Sequence, residues 1–360
     1  MKNILIVITT AFVPTGGLAT VMMNYYRNID KSNLLIDFAS TNVAPDVLTD
    51  ELAQNGSHYY CLGKRSNVFI YSVKLRQLCK KYDVVHVNGN SATATIELLA
   101  AKLAGVKVRI AHNHTTNTGH RILHHLLLPL FRRLYTDGLA CSETAGLWLF
   151  GKGCFKVLNN AIDTEKYRFS AIQRENYRKE FGIPNDHVVI GHVGKMNAPK
   201  NHFKLLEVFS EYHKTHDKSM LLCVGYGELR NELEHKIDEM NLQSAVILTG
   251  LRTDIPGFLC AMDVFVFPSK YEGLGLAVIE AEASGLPCLL SDRVPQDVYM
   301  SSNMRSMSLN AHSSEWADGI DSLKIEDRKK RCLENIQSIT KSGYNITTEA
   351  GKLKEMYLRN

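Results

Sequence analysis

Short runs of β-branched and aliphatic residues alternate with longer stretches whose apolar positions recur at helical spacing, almost from one end of the chain to the other. Runs of the first kind lie at 3–8, 35–39, 83–87 and 106–111. Helices are predicted near 19–27, 67–81 and 92–103, the last stopping at Gly105. The order then restarts with strands at 188–193, 220–224, 245–248, 264–267 and 288–291, again separated by helix-like stretches. Repeated strand–helix alternation is the mark of βαβ units in a parallel sheet, so the pattern predicts an α/β chain of two doubly wound, Rossmann-like domains in tandem. A polar connection from Asn159 to Tyr167, followed by a helix over 170–181 that ends at Gly182 with Pro184 beyond, places the domains at 1–165 and 166–344. Ala350, Leu353, Met356 and Tyr357 give the tail, 345–360, a final helix, assigned to the first domain.

Composition narrows the class without naming an activity. With 360 residues, 45% hydrophobic and 22% charged, 24 Gly against 9 Pro and a mean hydropathy of -0.14, the chain can build large apolar cores. No apolar run approaches the ~18 residues of a membrane span, since the best one, 126–131, contains Pro129. Lys2 before the apolar 4–8 imitates a signal peptide, but the run passes into Thr9, Thr10 and a Pro/Gly loop, which suits a first strand. Eight cysteines stand singly without a C-x-x-C, which reads as reduced, buried thiols in a cytoplasmic protein. Residues 1–165 hold 17 Lys and Arg against 11 Asp and Glu, and the remainder 25 against 26. That basic front half fits an anionic partner such as a phosphate-bearing acceptor or a lipid surface, and falls short of a nucleic-acid-binding signature.

Three stretches carry candidate chemistry. Pro14-Thr15-Gly16-Gly17 follows the first strand and precedes a helix, where paired glycines admit a ligand to the backbone and the helix start attracts anions; a tight turn alone would use the same residues. It lacks the G-x-G-x-x-G fingerprint, which ranks a dinucleotide-dependent dehydrogenase last. Gly194-Lys195-Met196-Asn197-Ala198-Pro199-Lys200-Asn201 follows the first strand of the second half. Its lysines suit a diphosphate, or are simply solvated. The strand over 221–224 ends in a similar turn, Gly225-Tyr226-Gly227. In Phe267-Pro268-Ser269-Lys270-Tyr271-Glu272-Gly273-Leu274-Gly275-Leu276-Ala277-Val278-Ile279-Glu280, two carboxylates flank a glycine-rich helix start, with Glu272 at its mouth and Glu280 two turns in. A glutamate among Leu276, Ala277, Val278, Ile279 and Ala281 needs hydrogen-bond donors, and ribose hydroxyls would serve.

The stretch from Asp263 to Asp292, with Gly194-Lys195, Lys200-Asn201 and the connection from Asn160 to Tyr167, resembles the retaining glycosyltransferases of family 4. Arg109-Ile110-Ala111-His112-Asn113-His114 and Ala140-Cys141-Ser142-Glu143-Thr144-Ala145-Gly146 are similar to those of bacterial capsular and exopolysaccharide enzymes. The resemblance implies the GT-B fold, with two Rossmann-like domains facing across a cleft. It implies that Glu272 and the amides of Gly273, Leu274, Gly275 and Leu276 hold the donor sugar and phosphate, and that Glu280 holds the ribose. Lys195, where the family usually has arginine, and Lys200 would neutralise the diphosphate; Gly16 and Gly17 would close on it, and Arg252 would lie near the base. A histidine at the reaction centre is implied too. His112 and His114 both qualify, and strand alternation puts them on one face. No Asp-x-Asp occurs, so a metal-independent reaction of a nucleotide sugar, without a cofactor, is expected.

The segment 120–134 interleaves Arg121, His124, His125, Arg132 and Arg133 with bulky apolar residues. It suits a helix lying on an anionic membrane, where a lipid-linked acceptor would be met, or a helix packing its leucines inward with its stripe broken at Pro129. The leading expectation is therefore a transferase moving sugar from a UDP-sugar to a lipid-linked saccharide at the inner face of the plasma membrane. An enzyme with a small soluble acceptor, an epimerase, or an idle GT-B scaffold are the alternatives.

Overall fold

Strands apolar along their whole length need cover on both faces, and the computed structural model supplies it twice. It describes residues 1–14, 16–323 and 327–359; Thr15 of the first glycine turn and Asn360 at the end of the tail lie outside them. The described chain divides into a unit of 1–161 joined by the tail from Ile346, and a unit of 162–345. The division falls at Ile162, inside the polar connection from Asn159 to Tyr167 and a few residues before the boundary at 165 that the sequence placed there. Ile162 pairs with Asn345 as a parallel bridge. The helix Ala171–Glu180 is tied to the second unit by Arg174 and Arg178, which hold Asp263 at 2.6 and 2.5 Å.

In the first unit the described strands are β1 (Lys2–Ile8), β2 (Leu34–Ser40), β3 (Tyr59–Cys61), β4 (Val84–Gly89), β5 (Val108–Asn113), β6 (Asp137–Ala140) and β7 (Lys156–Val157), in a parallel sheet of order β3-β2-β1-β4-β5-β6-β7. The second holds β8 (Val188–Val193), β9 (Ser219–Val224), β10 (Val246–Leu248), β11 (Val264–Phe267), β12 (Cys288–Ser291) and β13 (Met304–Met307), ordered β10-β9-β8-β11-β12-β13, also parallel. Both are doubly wound, with the order reversing at β1/β4 and at β8/β11. Ligands of such sheets bind beyond the carboxyl ends of the strands at that reversal.

Period-two alternation distributes the second sheet's side chains. Val189, Leu222, Val224, Phe265, Phe267 and Leu290 enter one core; Ile190, Leu221, Cys223, Val264, Val266 and Leu289 enter the other. In the first sheet Leu5, Val7, Val85, Val87 and Ala111 share one core, so the buried His86, Asn88 and His112 belong to the opposite face. The closing helix, Ile346–Leu358, packs against the helix Gly17–Asn28 and buries Tyr357. One detail departs from expectation. Cys61 and Cys154 are exposed rather than buried, all eight cysteines being free. The helix Arg121–Phe131 continues through Pro129, which is exposed in its last turn. No described helix is long and apolar enough to cross a membrane.

Candidate functional site

In the second unit the loops after β8 and β11 lie at the strand-order reversal and are laced together. The Lys270 amide donates to the Pro199 carbonyl at 2.7 Å and the Asn201 side-chain amide to the Pro268 carbonyl at 3.1 Å. Asn201 sits at φ 58°, a left-handed conformation that asparagine tolerates better than most residues. This lacing brings Lys200 Nζ to 2.6 Å from Glu272 Oε1 and 4.7 Å from the centre of the Phe267 ring. The pair is mostly withdrawn from water, with Glu272 9% and Lys200 20% exposed.

Glu272 leads into Gly273, Leu274 and Gly275, the last at φ 94°, a backbone conformation that favours glycine, and the helix Leu276–Ala283 starts immediately after. The amides of its first turn form the positive end of the helix dipole, and of them Val278 donates to the Gly275 carbonyl at 2.9 Å. A Cβ on Gly273 would meet nothing within 4 Å, so the chain's own packing leaves the space beside this amide open. Glu280, one turn into the helix, accepts a hydrogen bond from the Tyr167 hydroxyl at 2.8 Å. Burial pushes its carboxyl up to about 7, against the opposing pull of Tyr167, Lys166 and Lys200. The sequence treated Tyr167 only as part of the connection and did not foresee it as this partner.

The turns after β8 and β9 also interlock. The Gly194 amide donates to the Val224 carbonyl and the Met196 amide to that of Tyr226, and a Cβ at Gly225 would fall 2.0 Å from the Gly194 carbonyl oxygen. Lys195 is displayed differently from Lys200. It pairs with Glu228 at 3.2 Å, and both side chains are more than half exposed. Arg252 is committed locally, donating from Nε and Nη2 to Asp254 at 2.9 and 2.6 Å and standing over the Phe258 ring. The structure therefore brings Lys200, Glu272 and the start of the Leu276–Ala283 helix together, and ties Arg252 to Asp254.

In the first unit Gly16 caps the helix that starts at Gly17, and a Cβ on Gly17 would meet nothing within 4 Å. His112, within β5, and His114, just after it, share a face as alternation requires, their ring centres 3.9 Å apart. His114 Nε2 lies 3.0 Å from Asn88 Oδ1. Beyond this pair the structure adds His86, whose Nε2 lies 3.3 Å from His112 Nδ1 and whose Nδ1 lies 2.7 Å from the Tyr357 hydroxyl. Burial lowers all three imidazoles, His86 to about 3, His114 to about 4 and His112 well below the usual range, so they are neutral near pH 7. His86 and Asn88 were missed, although a histidine and an asparagine inside Val-Val-His-Val-Asn-Gly are a visible departure from an apolar central strand. Tyr357 gave no signal beyond its helical spacing.

The helix Arg121–Phe131 buries His124 and Phe131 and packs Leu127 and Leu128 against the core, yet leaves Ile122 80%, Leu126 72%, Leu123 45% and Leu130 43% exposed. Arg121, His125, Arg132 and Arg133 are exposed around them.

The model of the family "Glycosyl transferases group 1" matches residues 173–338. EpsF of Bacillus subtilis (strain 168), a protein named as a glycosyltransferase, is 32% identical over 95% of this chain and 93% of its own. The UDP-Gal:alpha-D-GlcNAc-diphosphoundecaprenol alpha-1,3-galactosyltransferase of Escherichia coli is 28% identical over 79% of this chain and 78% of its own. Among solved structures, Anabaena HepE in complex with UDP superposes with a TM-score of 0.80 at 17% identity, over 99% of both chains. The fold is that of GT-B glycosyltransferases.

Proposed function

The chain belongs to the group 1 glycosyltransferases, and from that premise we propose that it is a retaining enzyme of the family 4 type. In this reading it transfers a sugar from a UDP-sugar to a lipid-linked saccharide at the cytoplasmic face of a membrane, in the synthesis of a cell-surface polysaccharide. The observation that carries the reading is the Lys200–Glu272 pair set at the open, glycine-bounded start of the Leu276–Ala283 helix, with Glu280 one turn in. A diphosphate takes the ammonium of Lys200, the exposed Lys195 and the helix-start amides; Glu272 is left to accept sugar hydroxyls and Glu280 those of the ribose. The UDP named with HepE and the diphosphoundecaprenol-linked acceptor in the name of the E. coli relative favour the same donor and acceptor classes.

The acceptor oxygen attacks the anomeric carbon on the face the diphosphate leaves. A carbon–oxygen bond to the acceptor forms as the bond to the phosphate oxygen breaks, and the acceptor's proton passes to that departing oxygen. The developing negative charge is met by the two lysines and the helix dipole, so the chemistry proposed needs no resident metal. His112 and His114 are assigned to the sugar, and the exposed Ile122, Leu126 and Leu130 with Arg121, Arg132 and Arg133 to an anionic lipid surface.

The test is a thermal-shift titration with UDP, GDP, ADP and NAD, with and without EDTA, followed by product analysis with UDP-sugars and lipid-linked acceptors. A ligand at a hundred times its dissociation constant stabilises by ~2.7 kcal/mol. A UDP-selective shift insensitive to EDTA and a product that keeps the donor's anomeric configuration are expected. No shift with any nucleotide would overturn the reading in favour of an idle scaffold.

A further inference from the structure

We propose that Tyr357 and His86 are positioning residues that set the tautomer of His112 through a hydrogen-bond relay running from the closing helix into the sheet. The proposal rests on the reading that places the histidine pair at the sugar. Its geometry is a line of three buried groups, with Tyr357 and His86 0% and His112 2% exposed. The Tyr357 hydroxyl meets His86 Nδ1 at 2.7 Å and His86 Nε2 meets His112 Nδ1 at 3.3 Å, the two imidazoles being stacked 14° from parallel. The register makes this possible: His86 pairs with Ile110 and Asn88 with His112, so His86 and His112 are diagonal neighbours on one face.

Proton counting then gives the relay a direction. A neutral imidazole has one donor and one acceptor nitrogen. Among the described residues the Tyr357 hydroxyl has no other hydrogen-bond partner, so it satisfies its hydrogen only by donating to His86 Nδ1. His86 must then carry its proton on Nε2 and donate to His112 Nδ1, which leaves the proton of His112 on Nε2. Among the described residues His112 Nε2 makes no hydrogen bond of its own, while the Leu158 backbone stands close enough to favour a proton on the ring. The reverse direction would strand a buried hydroxyl hydrogen, a bias of roughly 5- to 150-fold against it. His114 is held separately, through Asn88. Tyr357 thus presents His112 to its surroundings as a hydrogen-bond donor.

The experiment is long-range proton–nitrogen NMR on the full chain with labelled histidine at neutral pH, paired with steady-state kinetics. Both His86 and His112 are expected as Nε2–H tautomers. Tyr357→Phe is expected to convert them to a mixture and lower kcat about tenfold, with KM for the nucleotide sugar within about twofold. His86→Gln, whose amide reproduces the Nε2 donor, should retain the His112 tautomer and most of kcat, while His86→Leu should lose both, which keeps the test valid if Tyr357→Phe folds poorly. An Nδ1–H form of His112 in the native protein overturns the relay, whatever the activity. A changed tautomer in Tyr357→Phe with native kcat overturns the positioning role. Intact relay tautomers in a protein without transferase turnover support the relay and overturn the proposed function instead.

Discussion

Replacing Lys200 by methionine keeps the side chain's length and removes one charge. Its ammonium lies 2.6 Å from Glu272, which is 9% exposed, so the variant leaves a largely desolvated carboxylate without its cation. Breaking a fully buried pair from one side costs about 3–5 kcal/mol. Exposed pairs are worth only about 0–1 kcal/mol. Lys200 is 20% exposed and water reaches both ends, so an intermediate cost of roughly 2 kcal/mol is expected at neutral pH. For a domain of this size that corresponds to a Tm lower by about 4–8 °C. Adding Glu272→Gln removes the stranded charge, and most of that stability should return in the double variant. Binding should behave differently. If Lys200 meets the diphosphate, the loss of a charged hydrogen bond, about 1.5–3 kcal/mol, raises the Kd for UDP by roughly 10- to 150-fold in both variants. Thermal unfolding with calorimetric titration of UDP separates the two effects. A Kd within twofold of native in Lys200→Met would refute the assignment of Lys200 to the donor. Affinity that returns together with stability in the double variant would show that the single variant lost binding only through instability.

Four further outcomes follow from the structure. Because burial raises Glu280 to about 7 from its ordinary 4.5, its contribution to stability is complete below about pH 4.5 and is lost as pH rises through 7; Glu280→Gln should flatten that part of the Tm–pH curve. If ribose hydroxyls bind the ionised carboxylate, UDP affinity should also rise between about pH 6 and 8 in the native protein and not in this variant, as titrations across that range would show. Gly225→Ala forces a Cβ to 2.0 Å from the Gly194 carbonyl at φ 147° and should destabilise by more than ~3 kcal/mol in denaturant unfolding. Gly273→Ala has open space and should stay within ~0.5 kcal/mol of native while weakening UDP, and native affinity would remove its amide from the donor site. Ile122→Ser with Leu126→Ser should leave Tm unchanged and reduce flotation with anionic vesicles at least tenfold; undiminished flotation would exclude this face from the membrane.

The parallel sheets were legible because their central strands are long apolar runs, and β8, β11 and β12 stand where the pattern predicts them. Several short strands were not: β3 has three residues and β7 two, β6 begins Asp-Gly and β13 mixes polar with apolar residues, so hydropathy does not mark them, whereas the edge strand β10 was foreseen. Their pairing comes from neighbours already in place. The candidate donor residues were legible for a related reason. Lys200, Glu272, Gly275 and Glu280 lie in short stretches where a glycine turn meets a helix start, so local chemistry and local geometry coincide.

What the sequence by itself determined is therefore the alternation, the two units and the charged and glycine positions at strand ends, all properties of residues near one another in the chain. Only the tertiary structure decided which of them meet: that Lys200 pairs with Glu272 across 72 residues, that Arg252 is committed to Asp254, and that Tyr357 reaches back 271 residues to His86. Strand register and helix docking set those contacts. They depend on how whole faces pack, and no local pattern encodes the distance between two side chains that the chain brings together only when folded.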